Sequence, residues 1–354
     1  MRNKNRIMKI LSCLVVGMLF MSIVPILSPA EGANTVTHLE LAEYYAPVIY
    51  QDVADDNPRA DYITKFNYDD DDDWTGRNNW DNLEKYKLLP YVYYSVVESE
   101  DHWFICYAIF HPCDTQLWHD LDLFKHENDM EGLVIAVKKD GTGYGKLCCM
   151  VTVAHFDFFS FVVPDGDLEG NEEDIDGKIS FEGSHPRIYI QAKGHGVFGS
   201  PGDYYRGLIH IEHWESGFPT GLPIELGGYG RIVYHPGDKA EEEPSLDTLK
   251  KENAQKVSYK LISIDQLWEK RFDIGEGNTF DSYGTFDGNC DPIDKLCKED
   301  AANAPWGWDD HDDGPIQRGD IFTDPVKLFD YYFKEADGDI FCKYEVGVNG
   351  GSTC

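Results

Sequence analysis

Two apolar runs separated by a polar stretch constrain the fold of this 354-residue chain more than any other feature. Residues 103–110 and 133–137 are rich in aromatic and β-branched side chains, which favours two β-strands. The first run is apolar on both faces, and this pattern is typical of a central strand that is buried on both sides. Polar residues that follow buried strands are held by a rigid scaffold. The sequence therefore predicts a functional site between these two strands.

Short strand-like runs separated by turn residues continue along most of the chain. Residues 91–98 precede the central strand, and residues 131–138 and 146–155 form a predicted hairpin around Asp140-Gly141. Helical periodicity is confined to short segments such as residues 324–336. Many short strands joined by turns favour an antiparallel sheet over alternating strand–helix units. We therefore predict a mainly β fold, namely an antiparallel β-sandwich with a few short peripheral helices.

The first 30 residues have the pattern of a signal peptide. Four basic residues precede the apolar run 10–27, and the small residues Ser28 and Ala30 predict cleavage after Ala30. An uncleaved membrane anchor is the alternative, because the apolar run is nearly long enough to span a bilayer. We expect cleavage, and therefore a secreted, extracellular protein with no stable transmembrane span.

The secreted chain would be strongly acidic. The full sequence has 31 Lys and Arg against 64 Asp and Glu, a net charge of −33, and loss of the four basic residues of the signal peptide makes it −37. A surface of this charge repels phosphate groups, which argues against nucleic acid or an anionic membrane surface as a partner. The sequence also lacks the motifs of serine hydrolases, nucleotide-binding loops and zincins.

Eight of the nine cysteines lie beyond the predicted signal peptide. An even number of cysteines in a secreted chain predicts disulfides in an oxidising compartment. Cys290–Cys297 and Cys342–Cys354 are the pairs we expect first. Adjacent Cys148 and Cys149 would face opposite sides of a strand and would need separate partners. A zinc site is the competing interpretation, but the sequence contains no Cys-x-x-Cys pair.

These features divide the chain into three predicted parts. Residues 1–30 are the signal peptide, and residues 31–274 form the β-sandwich domain that contains the site. Residues 275–354 are rich in loop-forming residues and contain four of the cysteines. We expect them to form a disulfide-bonded, loop-rich C-terminal extension that packs on the sandwich.

The polar stretch contains four side chains that could bind a metal ion: Asp114, His126, Asp129 and Glu131. In a regular strand Asp129 and Glu131 point to the same face, where two carboxylates repel each other unless a cation lies between them. His126 would face away, so it joins them only if the backbone bends between residues 125 and 128. The set suits Mg²⁺, Ca²⁺ or Mn²⁺, with Zn²⁺ as an alternative. The other interpretation is solvated acids beside a hydrogen-bonded histidine.

Residues 125–131, Lys-His-Glu-Asn-Asp-Met-Glu, resemble the Gly-His-Arg-His-Asp-Trp-Glu motif of the necrosis-inducing (Nep-like) cytolysins and the related vacuolar-sorting-type domains. The His, Asp and Glu are in register, and the other four residues differ. Pro112-Cys113-Asp114 is similar to the Pro-Lys-Asp that precedes the motif in that family. Ala154-His155 resembles its later Ser-x-His, and Lys193-Gly194-His195 resembles its Gly-Ser-His. The similar region, roughly residues 90–199, is about a third of the chain.

The resemblance implies a β-sandwich in which Asp114, His126, Asp129 and Glu131 bind a divalent metal ion. It also implies that His155 and His195 belong to the pocket or to the outer shell of the site. Two further residues of the polar stretch, His111 and Asn128, are assigned to the same shell. Three departures weaken the transfer of activity. Met130 replaces the tryptophan of the motif, and Asp114 is four residues further from it than in the family. The C-terminal third of the chain has no counterpart in the resemblance.

Three functions are consistent with this site. The first is a secreted metal-binding protein that holds a sugar, inositol or phosphate group of a surface glycan or glycolipid headgroup, as the resemblance implies. The alternative is a secreted metal-dependent hydrolase of phosphodiester or glycosidic bonds, in which His155, His195 or Glu131 would transfer protons. The second alternative is a structural cation that ties the loop of Asp114 to the strand of Glu131.

Overall fold

The structure is a computed structural model, and it describes residues 36–54, 57–71, 74–115, 125–199, 228–245, 248, 255–288, 302–311, 316–335 and 341. Its strands are β1 Val48–Ala54, β2 Tyr91–Glu98, β3 His102–Asp114, β4 His126–Lys138, β5 Lys146–Ala154, β6 Asp157–Val162, β7 Glu169–Gly170, β8 Gly177–Lys178, β9 Phe181–Glu182, β10 His185–Ile190, β11 Val197–Phe198, β12 Gly228–Pro236, β13 Gln255–Ser263, β14 Phe280–Ser282, β15 Thr285–Phe286 and β16 Phe333–Lys334. Its α-helices are α1 His38–Tyr45, α2 Asn79–Asn82, α3 Asp265–Glu269, α4 Asp320–Thr323 and α5 Pro325–Tyr332, and Pro305–Gly307 form a 3₁₀ turn.

The chain is mainly β, as predicted, but the central sheet is mixed. Twelve of the described strands form one sheet in the order β11-β10-β1-β12-β13-β2-β3-β4-β5-β6-β8, with β9 paired to β10. β1 runs parallel to β10, and β13 runs parallel to both β12 and β2. The prediction of a purely antiparallel sandwich is therefore wrong. Strands that are distant in sequence pair in the half of the sheet around β1, and long connections permit parallel pairing there.

The other half of the sheet agrees with the sequence pattern. β2 pairs with β3, β3 with β4, and β4 with β5, all antiparallel. The sheet curls, so that β11 near one edge packs against β4 and β5. The curled sheet is a half-barrel. One hydrophobic cluster covers its inner face, and a second cluster covers its outer face.

Strand β3 is buried on both faces because its side chains alternate between two cores. Ile105, Tyr107 and Ile109 belong to the inner cluster, whereas Phe104 and Phe110 belong to the outer one. Burial of each large apolar side chain stabilises the fold by about 1.5–3 kcal/mol. A continuous apolar run is therefore compatible with a strand here. Its packing on both faces holds the polar C-terminal end of β3 in place.

The outer face is covered by residues from the C-terminal third of the chain. Trp306, Trp308 and the buried face of α5 belong to the same cluster as Phe104 and Phe110. The indole Nε1 of Trp308 donates to the carbonyl of Met130 on β4 at 2.8 Å. The described part of the segment after residue 274 therefore packs on the sheet rather than standing apart from it.

The disulfide prediction is wrong for three cysteines. Cys106, Cys148 and Cys149 are free thiols. Cys106 on β3 and Cys149 on β5 are separated by β4, so their backbones are about 9–10 Å apart. A disulfide requires Cα atoms within about 7 Å. The expected pairs Cys290–Cys297 and Cys342–Cys354 lie outside the described residues.

The predicted signal peptide at residues 1–30 also lies outside the described residues. Within the part of the chain that the structure describes, no helix has the length and apolar character required to cross a membrane.

Candidate functional site

The backbone bend that His126 requires is present at Asn128. This residue has a φ of 61°, in the left-handed region that asparagine tolerates better than most residues. Its side chain is buried, donates to the carbonyls of Asp287 at 2.6 Å and Gly76 at 3.2 Å, and accepts from Asn79 Nδ2 at 2.8 Å. Asn128 was assigned to the pocket or to the outer shell of the site, and its side chain is bonded to neighbouring loops, where it holds the bend.

His126 and Asp114 face each other across the β3–β4 pair. They are register partners, and His126 Nε2 lies 3.7 Å from Asp114 Oδ2. His126 Nδ1 lies 3.1 Å from the carbonyl of Glu127, which can only accept, so Nδ1 carries a proton and Nε2 is the nitrogen that faces Asp114. Two ligands held about 2.1 Å from one cation at angles between about 90° and 120° lie roughly 3.0–3.6 Å apart. The observed separation is close to this range.

Asp129 and Glu131 are buried next to each other on β4. Glu131 Oε1 accepts from the backbone N–H of His155 at 2.8 Å. Glu131 Oε2 is buried and has no hydrogen-bond partner in the described part of the chain. Burial and the charge of Asp129 raise the pKa of Glu131 well above its usual range. The charge of His195 acts in the opposite direction but does not reverse this shift.

His195 lies between two carboxylates. Its Nδ1 is 2.7 Å from Asp129 Oδ2 and its Nε2 is 3.0 Å from Asp61 Oδ1, and the imidazole is fully buried. Burial opposes the charged form, but the hydrogen bonds to Asp129 and Asp61 outweigh it and raise the pKa of His195 to about 10. Burial likewise opposes ionisation of Asp129, yet the hydrogen bond from His195 lowers the pKa of Asp129. Asp129 and His195 therefore form a buried ion pair.

His111 stacks on His195 and is neutral. The two rings are parallel within 4°, with centroids 3.8 Å apart. Gln51 Nε2 donates to the carbonyl of Asp52, so Gln51 Oε1 faces His111 and accepts from its Nε2 at 3.1 Å. Burial, followed by the charge of His195, lowers the pKa of His111 well below its usual range. A neutral ring is the form that can stack on an imidazolium without charge repulsion.

His155 lies beside Glu131 in the tight turn between β5 and β6. Its Nδ1 is 3.5 Å from Glu131 Oε1, and its Nε2 accepts from Gln191 Nε2 at 3.2 Å. Burial lowers the pKa of His155 to about 4, although the charge of Asp129 acts in the opposite direction. His155 is therefore neutral, with its proton on the nitrogen that faces Glu131.

Several residues of the candidate site have a strained, left-handed backbone conformation. Asn128, His155, Lys193 and His195 have φ values of 61°, 59°, 75° and 55°, and among the described residues other than glycine only Asp70 shares this conformation. A left-handed conformation costs a non-glycine residue about 1–2 kcal/mol. Such strain persists only where the surroundings fix it, and it clusters at functional sites.

The structure joins seven of the eight predicted site residues and adds three that sequence reasoning missed. Asp114 contacts His126, Glu131 contacts His155, and Asp129 contacts His195, on which His111 stacks. The charge of Asp129 acts on both Glu131 and His155. The missed residues are Asp61, Gln51 and Gln191. They come from segments distant in sequence and carry no motif, and only the fold brings them to the histidines.

The donor types fit a hard divalent cation, because carboxylate oxygens and one imidazole nitrogen are the ligands that such ions accept. The unpartnered Glu131 Oε2 fits as well. Nevertheless, no group of three or more His, Cys, Asp or Glu side chains is gathered as a metal site requires anywhere in the described ranges. The metal site therefore stays a prediction.

Comparisons with known proteins give a distant likeness. No protein-family model and no curated protein matches the chain. Among solved structures, the non-toxic HaNLP3 protein matches with 20% identity over 32% of this chain and 46% of that chain, at a TM-score of 0.24. The Necrosis and Ethylene inducing Protein 2 from the causal agent of cocoa's Witches Broom disease matches with 12% identity over 48% of this chain and 71% of that chain, at a TM-score of 0.30.

A third match is NLPPya in complex with glucosamine, with 14% identity over 31% of this chain and 44% of that chain, at a TM-score of 0.22. The chain thus spans less than half the length of two of these three proteins. The matches confirm the distant resemblance to necrosis-inducing proteins that the motif indicated. Their TM-scores are too low to carry any further argument about fold or function.

Proposed function

We propose that this protein binds a divalent cation through Asp114, His126, Asp129 and Glu131, and binds a sugar, inositol or phosphate group of a surface glycan or glycolipid headgroup through that cation. The observation that carries the proposal is Glu131 Oε2, a buried carboxyl oxygen without a partner among the described residues, beside a second buried carboxylate. The predicted signal peptide supports action outside the cell.

The charge of the site supports a cation. Asp129 is already paired with the imidazolium of His195, whereas Glu131 lies beside His155, which is neutral because burial lowers its pKa to about 4. A dication close to Glu131 would favour its ionised form and so oppose the burial and the charge of Asp129 that raise its pKa. Mg²⁺, Ca²⁺ and Mn²⁺ prefer oxygen ligands and retain water molecules, which the hydroxyl or phosphate oxygens of a ligand can replace.

The hydrogen bonds of the histidines favour binding over hydrolysis. A hydrolase needs a side chain that can exchange a proton with the reacting group. Both ring nitrogens of His195 are bonded to carboxylates, and His155 is held between Gln191 and Glu131. Of the three groups predicted to transfer protons in a hydrolase, His155 and His195 are therefore bonded to neighbouring side chains, and only Glu131 keeps an unpartnered oxygen among the described residues.

Calorimetry on chelator-stripped protein tests the cation site. We expect saturable binding of Mn²⁺, Mg²⁺ or Ca²⁺ by the wild type and loss of at least tenfold in affinity in both Asp129→Asn and Glu131→Gln, since each variant removes a charged ligand. Glu127→Gln is the matched control, because Glu127 lies on the same strand and its Oε1 accepts from the backbone N–H of Trp80. Circular dichroism is the measurement that checks whether each variant is folded.

Ligand binding is tested on the metal-loaded protein. The panel contains inorganic phosphate, myo-inositol, glucosamine and mannosamine, the last two being named in complexes of NLPPya. Binding that requires the cation supports the proposal, and release of a phosphodiester or glycosidic product would support the hydrolase instead. Undiminished cation binding in both Asp129→Asn and Glu131→Gln would place the ion elsewhere, and no binding by the wild type would end the proposal.

A further inference from the structure

Asp61 is a fully buried carboxylate in a loop after β1, far in sequence from the predicted ligands. Its Oδ2 accepts from the backbone N–H of Ala54 at 2.6 Å. Its Oδ1 accepts from the backbone N–H of Lys193 at 2.6 Å and lies 3.0 Å from His195 Nε2. One side chain therefore ties together the end of β1, the strained loop after β10 and an imidazole.

The contacts of the loop continue toward both ligand-bearing strands. His195 Nδ1 is bonded to Asp129 Oδ2 on β4 at 2.7 Å. The carbonyl of Lys193 accepts from the backbone N–H of Thr115, the residue after Asp114, at 3.0 Å. Lys193 and His195 both have positive φ, so this loop needs outside support to keep its shape. Asp61 supplies a bond to each of these two residues.

We propose that Asp61 is the positioning residue of the candidate site: through His195 it fixes the orientation of Asp129, and through Lys193 it fixes the segment that follows Asp114. This inference rests on the proposed cation site. Outer partners of this kind orient a ligand and set its basicity, and their loss lowers metal affinity by about 10–100-fold. Asp61 is not one of the proposed cation ligands, and acts on them through the loop that contains Lys193 and His195.

His111 and Gln51 complete the arrangement from the other side. The stacked ring of His111 prevents the imidazole of His195 from tilting, and Gln51 on β1 fixes the ring of His111. His195 is thus held by two hydrogen bonds in its own plane and by a parallel ring against its face. Because this imidazole is bonded to Asp129 Oδ2, its fixed orientation also fixes the orientation of the Asp129 carboxylate.

Mn²⁺ affinity measured by calorimetry on chelator-stripped, full-length protein tests this role. We expect Asp61→Asn to weaken binding by about 10–100-fold and His195→Asn to weaken it similarly. Because Asp61 acts mainly through His195, the double variant should bind no more than about threefold more weakly than His195→Asn alone. Asp176→Asn is the matched control: Asp176 Oδ2 also caps a backbone N–H, that of Ser160, at 2.7 Å, and we expect unchanged affinity.

A role confined to folding would lower the melting temperature of the metal-free protein without changing Mn²⁺ affinity, and would overturn the inference. Losses that multiply in the double variant would overturn the His195 route, because Asp61 would then act on the site independently of that imidazole. If Asp61→Asn does not fold, Asp61→Glu keeps the charge, displaces the carboxylate and is expected to weaken binding too. A wild type that binds no divalent cation would refute the proposed function itself, an outcome distinct from normal binding by Asp61→Asn.

Discussion

Asn128 determines whether His126 can face the same pocket as the two carboxylates. Three buried hydrogen bonds hold its side chain, and its backbone is left-handed. We expect Asn128→Ala to lower the free energy of unfolding by about 4 kcal/mol, about 1 for each lost bond and about 1 for the strain. Asn128→Gly loses the same bonds but relieves the strain, so its loss should be about 1 kcal/mol smaller. Urea denaturation measures both.

A suitable control is Asn171→Ala. Asn171 also donates from its side chain to a backbone carbonyl, that of Asp330 at 2.7 Å, but it does so at the surface. Its removal should cost about 1 kcal/mol or less. Equal losses for Asn128→Ala and Asn128→Gly would mean that the left-handed backbone is not a source of strain at this position.

Single side chains of the site were predictable where spacing decides their direction. Asp129 and Glu131 are two residues apart in a strand, and the condition for His126 was a bend that Asn128 provides. Asp61 was not predictable, because its role depends on the loop of His195 folding back against the end of β1. Nothing in the local sequence around Asp61 marks that contact.

Among the strands, the pairing of β2 to β5 followed from the sequence pattern, whereas the pairing of β10, β12 and β13 did not. Neighbouring antiparallel strands need only a turn between them, so apolar runs separated by turn residues predict both the strands and their pairing. Parallel neighbours such as β12 and β13 meet through longer connections, and pairing of this kind leaves no signal in the local pattern. The mixed topology was therefore beyond what periodicity could indicate.

Tyr234 on strand β12 and the half-buried Glu243 form a pair with a pH-dependent effect on stability. The hydroxyl of Tyr234 donates to both oxygens of Glu243, at 3.0 and 3.1 Å. Burial raises the pKa of Glu243 well above its usual range, against the opposing effects of Tyr234 and Arg59. The folded state therefore holds this proton more tightly than the unfolded state, whose glutamates titrate near pH 4.3. The contribution to stability is complete below that pH and is lost as the pH rises toward the folded pKa.

Glu243→Gln retains an acceptor for Tyr234 but cannot ionise. We expect the wild type to lose stability relative to this variant as the pH rises above about 4.3, measured as unfolding free energies in urea from pH 4 to pH 8. Glu242→Gln, at an exposed neighbouring position, should leave the pH profile parallel to that of the wild type. A constant difference between wild type and Glu243→Gln across this range would contradict the raised pKa.

For the chain as a whole, the C-terminal segment completes the scaffold of the site. β4 carries Asp129 and Glu131, and its outer face packs against the indole of Trp308, which bonds to the carbonyl of Met130. Gly132 permits this contact, because a Cβ there would lie 2.1 Å from the carbonyl oxygen of Tyr107 and 2.9 Å from the Trp308 ring. The inner face of β4 therefore carries residues of the candidate site, and its outer face packs against the C-terminal segment.

Substitutions of Trp308 show how much this packing contributes to the free energy of unfolding. We expect Trp308→Ala to lower the free energy of unfolding by about 3–5 kcal/mol, because it leaves a cavity over β4. Trp308→Phe keeps much of the ring but loses the bond to Met130, and should cost about 1–3 kcal/mol. Tyr283→Ala, an aromatic residue with 40% of its surface exposed, is the control and should change stability by about 0.5 kcal/mol or less. A Trp308→Ala effect as small as that of Tyr283→Ala would mean that the sheet is stable without its C-terminal cover.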